Sequence, residues 1–101
     1  MPYQSKNPYN NEVLATFDTL TDAQLEEKLA KAHEAFQSWK NTTFEERAAI
    51  LHRAAELVME RREELASYNT LETGKLFMES AWEMNVVADI LTTTLITVLN
   101  T

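Results

Sequence analysis

Apolar side chains recur along this chain at two different periods. Between Glu12 and Phe17, Val13, Ala15 and Phe17 alternate at period two, the spacing of a half-buried strand. The preceding NPYNNE stretch reads as a turn: Pro8 fixes its own φ and pushes Asn7 away from helix, and Asn10 and Asn11 tolerate the left-handed conformation of tight hairpins. From Leu25 the period changes. Leu25, Leu29, Ala32, Phe36 and Trp39 follow at steps of 4, 3, 4 and 3 behind a Thr21/Gln24 capping box, which predicts a helix over 22–40. Asn41-Thr42 is a short link, and a second capping box, Thr43/Glu46, opens the next helix. There Ile50, Leu51, Ala54, Leu57, Val58 and Leu65 share one stripe, expected to be a core seam. No breaker interrupts the run up to Gly74, placed as a left-handed cap, so the local pattern predicts one helix over 44–72. Arg47 and Arg61 fall on the same stripe and are expected at its edges or in ion pairs.

The third predicted helix, over 76–92, is apolar most of the way round. Leu76, Met84, Val87 and Leu91 lie on one side and Trp82, Val86 and Ile90 on another, a pattern that calls for neighbours on more than one flank. The tail from Thr92, TTTLITVLNT, is β-branched and uncharged and suits a strand or an aggregation-prone segment better than a helix end. The pattern as a whole predicts a mainly α chain: a small N-terminal β-hairpin followed by an antiparallel three-helix arrangement. Its expected divisions are an extended hairpin over 1–20, a helical segment over 21–91 and a tail over 92–101. Large apolar residues outnumber the partners that so small a chain offers. Homo-oligomerisation through Leu76, Trp82, Val86, Ile90, Leu91, Leu95 and Ile96 is therefore expected.

Composition narrows the function. Sixteen acidic against nine basic residues give a net charge of −7 spread through the helices, which argues against a nucleic-acid partner. There is no Cys, hence no thiol nucleophile, disulfide or thiolate metal site, and the composition fits a reducing cytoplasm. The opening MPYQSKNPY has no apolar core of a signal peptide, and the uncharged run from Ile90 is too short to span a bilayer, so no membrane partner is expected. The single Gly excludes dinucleotide and P-loop fingerprints, which need several.

Candidate chemistry is sparse. His33 and His52 are the only imidazoles, one on each of two neighbouring predicted helices, but the residues three before them are Ala30 and Ala49 rather than the Glu of a bundle metal site. His52/Glu56 and Glu79/Glu83 are i, i+4 pairs that read as solvated helix faces. Asn41-Thr42-Thr43 matches a glycosylation sequon but reads as a linker and an N-cap. Trp39, Trp82, Phe36, Phe44 and Phe77 could line a pocket, although aromatics at helical spacing are more often core. No catalytic, cofactor-binding or metal-binding residue is assigned.

Taken together, NPYNNEVLATF, the capped helix ending FQSWK, FEERAAILHRAAELVMERREELA and LETGK resemble the start of an aldehyde dehydrogenase, and within that superfamily the succinate-semialdehyde dehydrogenases. The resemblance covers residues 3 to 91, and its most specific parts are Glu45-Glu46-Arg47, the Leu51 to Ala55 run and Leu71-Glu72-x-Gly74-Lys75. It implies a fragment of an α/β enzyme that uses NAD or NADP, in which hairpin and helices pack on a Rossmann-like cofactor domain. The family's cysteine nucleophile, glutamate base, oxyanion-hole asparagine and cofactor-binding residues lie beyond the matched stretch, so the chain itself is expected to hold no cofactor and no activity. The resemblance also implies a bend in the second helix near 60–62. From Thr92 the sequence departs from the family's usual continuation, the expectation being a truncated or frameshifted gene product. The alternative is a stand-alone helical interaction module.

Overall fold

A computed structural model describes residues 3–99, with side chains described through residue 93. The order is β1 (Tyr3–Lys6), β2 (Val13–Phe17), α1 (Asp22–Trp39), α2 (Phe44–Glu60), α3 (Arg62–Thr73) and α4 (Phe77–Leu99). This is the hairpin followed by helices that the sequence pattern predicts.

The starts and stops have local causes. Thr21 accepts from the Gln24 amide while the Gln24 side chain accepts from the Thr21 amide, and Thr43 and Glu46 repeat the arrangement at α2. Asp22, Glu45 and Glu46 add negative charge where the helix dipole is positive. Gly74 closes α3 at φ 77°, and its amide donates to the Thr70 carbonyl. In the hairpin, Asn11 takes the left-handed conformation at φ 61°. A bulge between Ser5 and Lys6 shifts the register from Ser5 opposite Ala15 to Lys6 opposite Val13. That bulge breaks the expected alternation: Leu14 and Ala15 are both half-buried, while Val13 and Phe17 are exposed. A two-stranded hairpin is barely stable in water, and this one leans on the end of α3, where the Ser5 hydroxyl donates to Glu72 and Pro8 meets Gly74.

The helical body is organised by α4, which packs on both α2 and α3. The buried apolar residues among those described are all alanines: Ala48 and Ala55 on α2, Ala66 on α3, Ala81 and Ala88 on α4. Ser80 is fully buried among them and shares a 2.8 Å hydrogen bond with Thr70, so its hydroxyl is satisfied.

Several expectations require correction. The mainly α fold with its N-terminal hairpin is as expected, but α1 packs against no other element of the described residues, so the packed helices are α2, α3 and α4. The second helix is two. It breaks at Arg61 (φ −105°, ψ 22°), inside the 60–62 bend that the family resemblance implied and against the unbroken helix of the local pattern, although no residue there disfavours helix. The reason is tertiary: the break lets α3 meet α4, where the Arg62 Nε donates to the Ala81 carbonyl and Ala66 is buried. The predicted seam of α2 splits, with Leu51, Val58 and the buried Ala55 toward the body and Ile50 and Leu57 exposed. The tail is not a strand. The α4 backbone stays helical to Leu99, since β-branched residues cost only a few tenths of a kcal/mol each in a helix already nucleated.

Gly74→Ala tests the closure of α3. A Cβ there would lie 3.1 Å from the Pro8 Cγ on a left-handed backbone. The expected loss is about 1–2 kcal/mol, read as a lower urea midpoint.

Candidate functional site

Two places gather polar side chains. The first is the joint between α3 and α4. Glu83 on α4 receives Lys75 Nζ at 2.7 Å and the Asn69 side-chain amide at 2.6 Å, which ties the α3–α4 loop and α3 to one carboxylate. The Lys75 hydrogen bond and then the Asn69 one hold the Glu83 carboxyl below its ordinary value. With the Thr70–Ser80 bond beneath it, this is a satisfied structural cluster.

The second is an open groove of about 870 Å³ between α2 and α4, lined by His52, Glu56, Glu60, Asn85, Asp89 and Thr92. His52 Nε2 lies 3.4 Å from the Glu56 carboxylate, and Arg53 contacts both Glu56 (3.1 Å) and Glu60 (3.2 Å). These carboxylates are engaged and solvated rather than aimed at one point, and among the described residues no three His, Asp or Glu are grouped to hold a metal.

The structure disperses the other candidates. His33 lies on the isolated α1, where its Nε2 is 3.1 Å from the Gln37 side-chain nitrogen, and it does not meet His52. Glu79 and Glu83 do not act as a pair, since Glu83 belongs to Lys75 and Asn69. The aromatic residues form no common pocket: Phe36 and Trp39 end α1, whereas Phe77 and Trp82 lie on α4, which α1 does not touch. Asn41 and Thr42 are the corner residues and Thr43 the cap.

Arg47 has a role that spacing alone did not reveal. Its Nε donates to the Thr42 hydroxyl at 2.7 Å, its Nη2 donates to the Trp39 carbonyl at 2.9 Å, and its guanidinium lies 5.4 Å from the Trp39 ring centre. The side chain therefore bolts the α1–α2 corner. Arg61, by contrast, makes the expected ion pair, bidentate to Glu64 at 2.8 and 2.9 Å. Of the seven residues expected to mediate association, Leu76, Trp82 and Ile90 are exposed, Val86 and Leu91 are half-buried within the chain, and the side chains of Leu95 and Ile96 lie outside those described. No helix among the described residues is long and apolar enough to cross a membrane.

Among the described residues, the polar clusters are tied up in hydrogen bonds and ion pairs with one another. Comparison with known proteins gives the family: the aldehyde dehydrogenase family model matches residues 1–97, and the chain belongs to that family. It is 43% identical over 90 residues to an NADP-dependent succinate-semialdehyde dehydrogenase of Deinococcus radiodurans, covering 89% of this chain and 19% of that protein. The fold superposes on a betaine aldehyde dehydrogenase of Staphylococcus aureus in complex with NAD+, with a TM-score of 0.83 and 32% identity, covering 93% of this chain and 19% of the other. It superposes equally on an NAD-dependent benzaldehyde dehydrogenase of Corynebacterium glutamicum, with a TM-score of 0.85 and 28% identity, covering 94% and 21%. The chain thus spans about a fifth of the length of the relatives it matches.

The lowered Glu83 value sets a pH dependence. A depressed folded value means that the stabilisation is present above the unfolded value of about 4.5 and is lost as pH falls below it. Glu83→Gln should be less stable than the parent at neutral pH, and the gap should close on acidification, measured as urea midpoints across pH 3–7. The effect will be modest and salt-sensitive, because the Glu83 side chain is 39% exposed.

Proposed function

We propose that these 101 residues are the N-terminal structural segment of a cytoplasmic NAD(P)-dependent aldehyde dehydrogenase acting on succinate semialdehyde, and that they carry no catalytic, cofactor or metal residue themselves. The observation that carries the reading is the family match over 1–97 set beside a chain with no Cys and one Gly. Covalent aldehyde oxidation in this family needs a thiolate, and a pyrophosphate site needs several close-approaching backbone amides. Neither requirement is met by the residue types present. The proposed role is architectural: the hairpin and α2–α4 supply a preformed wall, and residues 21–91 are the helical part of the cofactor domain.

A second reading, self-association, is favoured by the surface of α4 and of Leu76 just before it. Trp82 is 65% exposed and Leu76 69%, and burying one such side chain is worth roughly 1.5–3 kcal/mol. Contact between copies through Leu76, Trp82 and Ile90 would remove that cost.

The purified 101-residue chain is expected to give no reduced nicotinamide from succinate semialdehyde with either NAD or NADP. Turnover that survives repurification would overturn the proposal. For association, light scattering coupled to size exclusion should give a mass above 11.6 kDa, lowered by Trp82→Glu.

A further inference from the structure

The break between α2 and α3 has no local cause, and its surroundings favour the helix that it interrupts. Every residue from Met59 to Leu65 is a good helix former. The stripe that faces α4 also crosses the break in step: Ala48, Ala55 and Val58 on α2 lead into Arg62, Ala66 and Asn69 on α3 at intervals of 7, 3, 4, 4 and 3. Breaking such a helix costs hydrogen bonds. The amides of Arg62, Glu63 and Glu64, which a continuous helix would bond to Val58, Met59 and Glu60, open a new helix instead, and α3 starts with no side-chain cap.

What offsets that cost is α4. One face of α3 lies on it, with Ala66 fully buried, Arg62 Nε donating to the Ala81 carbonyl, Thr70 sharing a hydrogen bond with Ser80, and Asn69 donating to Glu83. A single helix from Phe44 to Thr73 would be about 45 Å long, and straight helices that pack together cross at an angle, so its far end would part from α4. The bend brings that end back. The hairpin goes with it. Among the described residues, neither strand packs on any element besides its partner strand and α3, where Ser5 donates to Glu72 and Pro8 meets Gly74. The angle at Arg61 therefore sets where the hairpin stands relative to α2.

We propose that the break is a latch with two positions: bent when α3 lies on α4, and one straight helix from Phe44 to Thr73 when α3 is released, the hairpin travelling with its end. The sequence of the hinge favours the straight form, and the small-residue face of α4 selects the bent one. The contacts that hold the bend all lie between described residues of the segment itself, so they act whatever else packs on it.

The chain has no Cys, so Ala49→Cys and Leu71→Cys, at exposed positions of α2 and α3, carry the only spin labels. In the parent, double electron–electron resonance should give a separation short of the straight-helix value of about 33 Å. Ala66→Glu puts a charge where α3 is buried while keeping a good helix former, so α3 must leave α4. The separation should then rise to about 33 Å in one narrow population, and circular dichroism should show no loss of helix. The Arg62, Glu63 and Glu64 amides should exchange severalfold more slowly, because they gain partners in α2. Arg62→Ala/Thr70→Ala removes two of the α3–α4 hydrogen bonds without lowering helix propensity, and it should populate both separations. A parent already at the straight-helix separation overturns the inference, as does an Ala66→Glu chain that keeps the parent's separation. So does release by melting, in which helix content falls and the separations spread. If Ala66→Glu unfolds the whole chain, the double variant decides: a second population near the straight-helix separation supports the latch, and its absence overturns it.

Discussion

Everything in the helical body depends on how closely α4 can approach its two neighbours. The residues buried outright are small, Ser80, Ala81 and Ala88 on α4 and Ala48, Ala55 and Ala66 on α2 and α3, with larger ones such as Leu51, Val58, Met84 and Leu91 half-buried. Small residues let backbones come near, so that main-chain atoms join the packing: Arg62 donates to the Ala81 carbonyl. Alanine buries little apolar area, and a core made of it contributes correspondingly little.

That economy explains the rest of the surface. The large side chains that would fill an ordinary core, Ile50, Leu57, Trp82 and Ile90 among them, point away from α4's small-residue face. Two features keep them there. The break at Arg61 commits α3 to α4, and Arg47 holds the corner after Trp39 so that α1 leads away from the body. The chain matches about a fifth of the length of each related dehydrogenase.

The capped starts at Thr21 and Thr43, the Arg47 corner and the Gly74 stop with Lys75 beside it all have structural roles in this fold. Lys75 shows the point: its ammonium is spent on Glu83, joining loop to helix.

Local signals alone determined a good deal. Capping boxes, a left-handed Asn in the hairpin and a glycine stop are interactions among residues a few positions apart, so Thr21, Thr43, Asn11 and Gly74 were legible before any fold was known. The absence of a thiol and of glycine-rich loops was equally plain, because residue types need no geometry. Tertiary structure decided what depends on a distant partner. The α2 stripe is wider than the face α4 covers, so periodicity could not say that Leu51 turns inward and Ile50 outward. Nothing near Arg61 breaks a helix, and the break exists because Ala66 and Arg62 find α4. The tail's β-branched residues carried only a weak local preference, and the growing α4 overrode it. A short link suggested that α1 would fold back, yet Arg47, five residues beyond Thr42, reached back to the corner and set the direction instead.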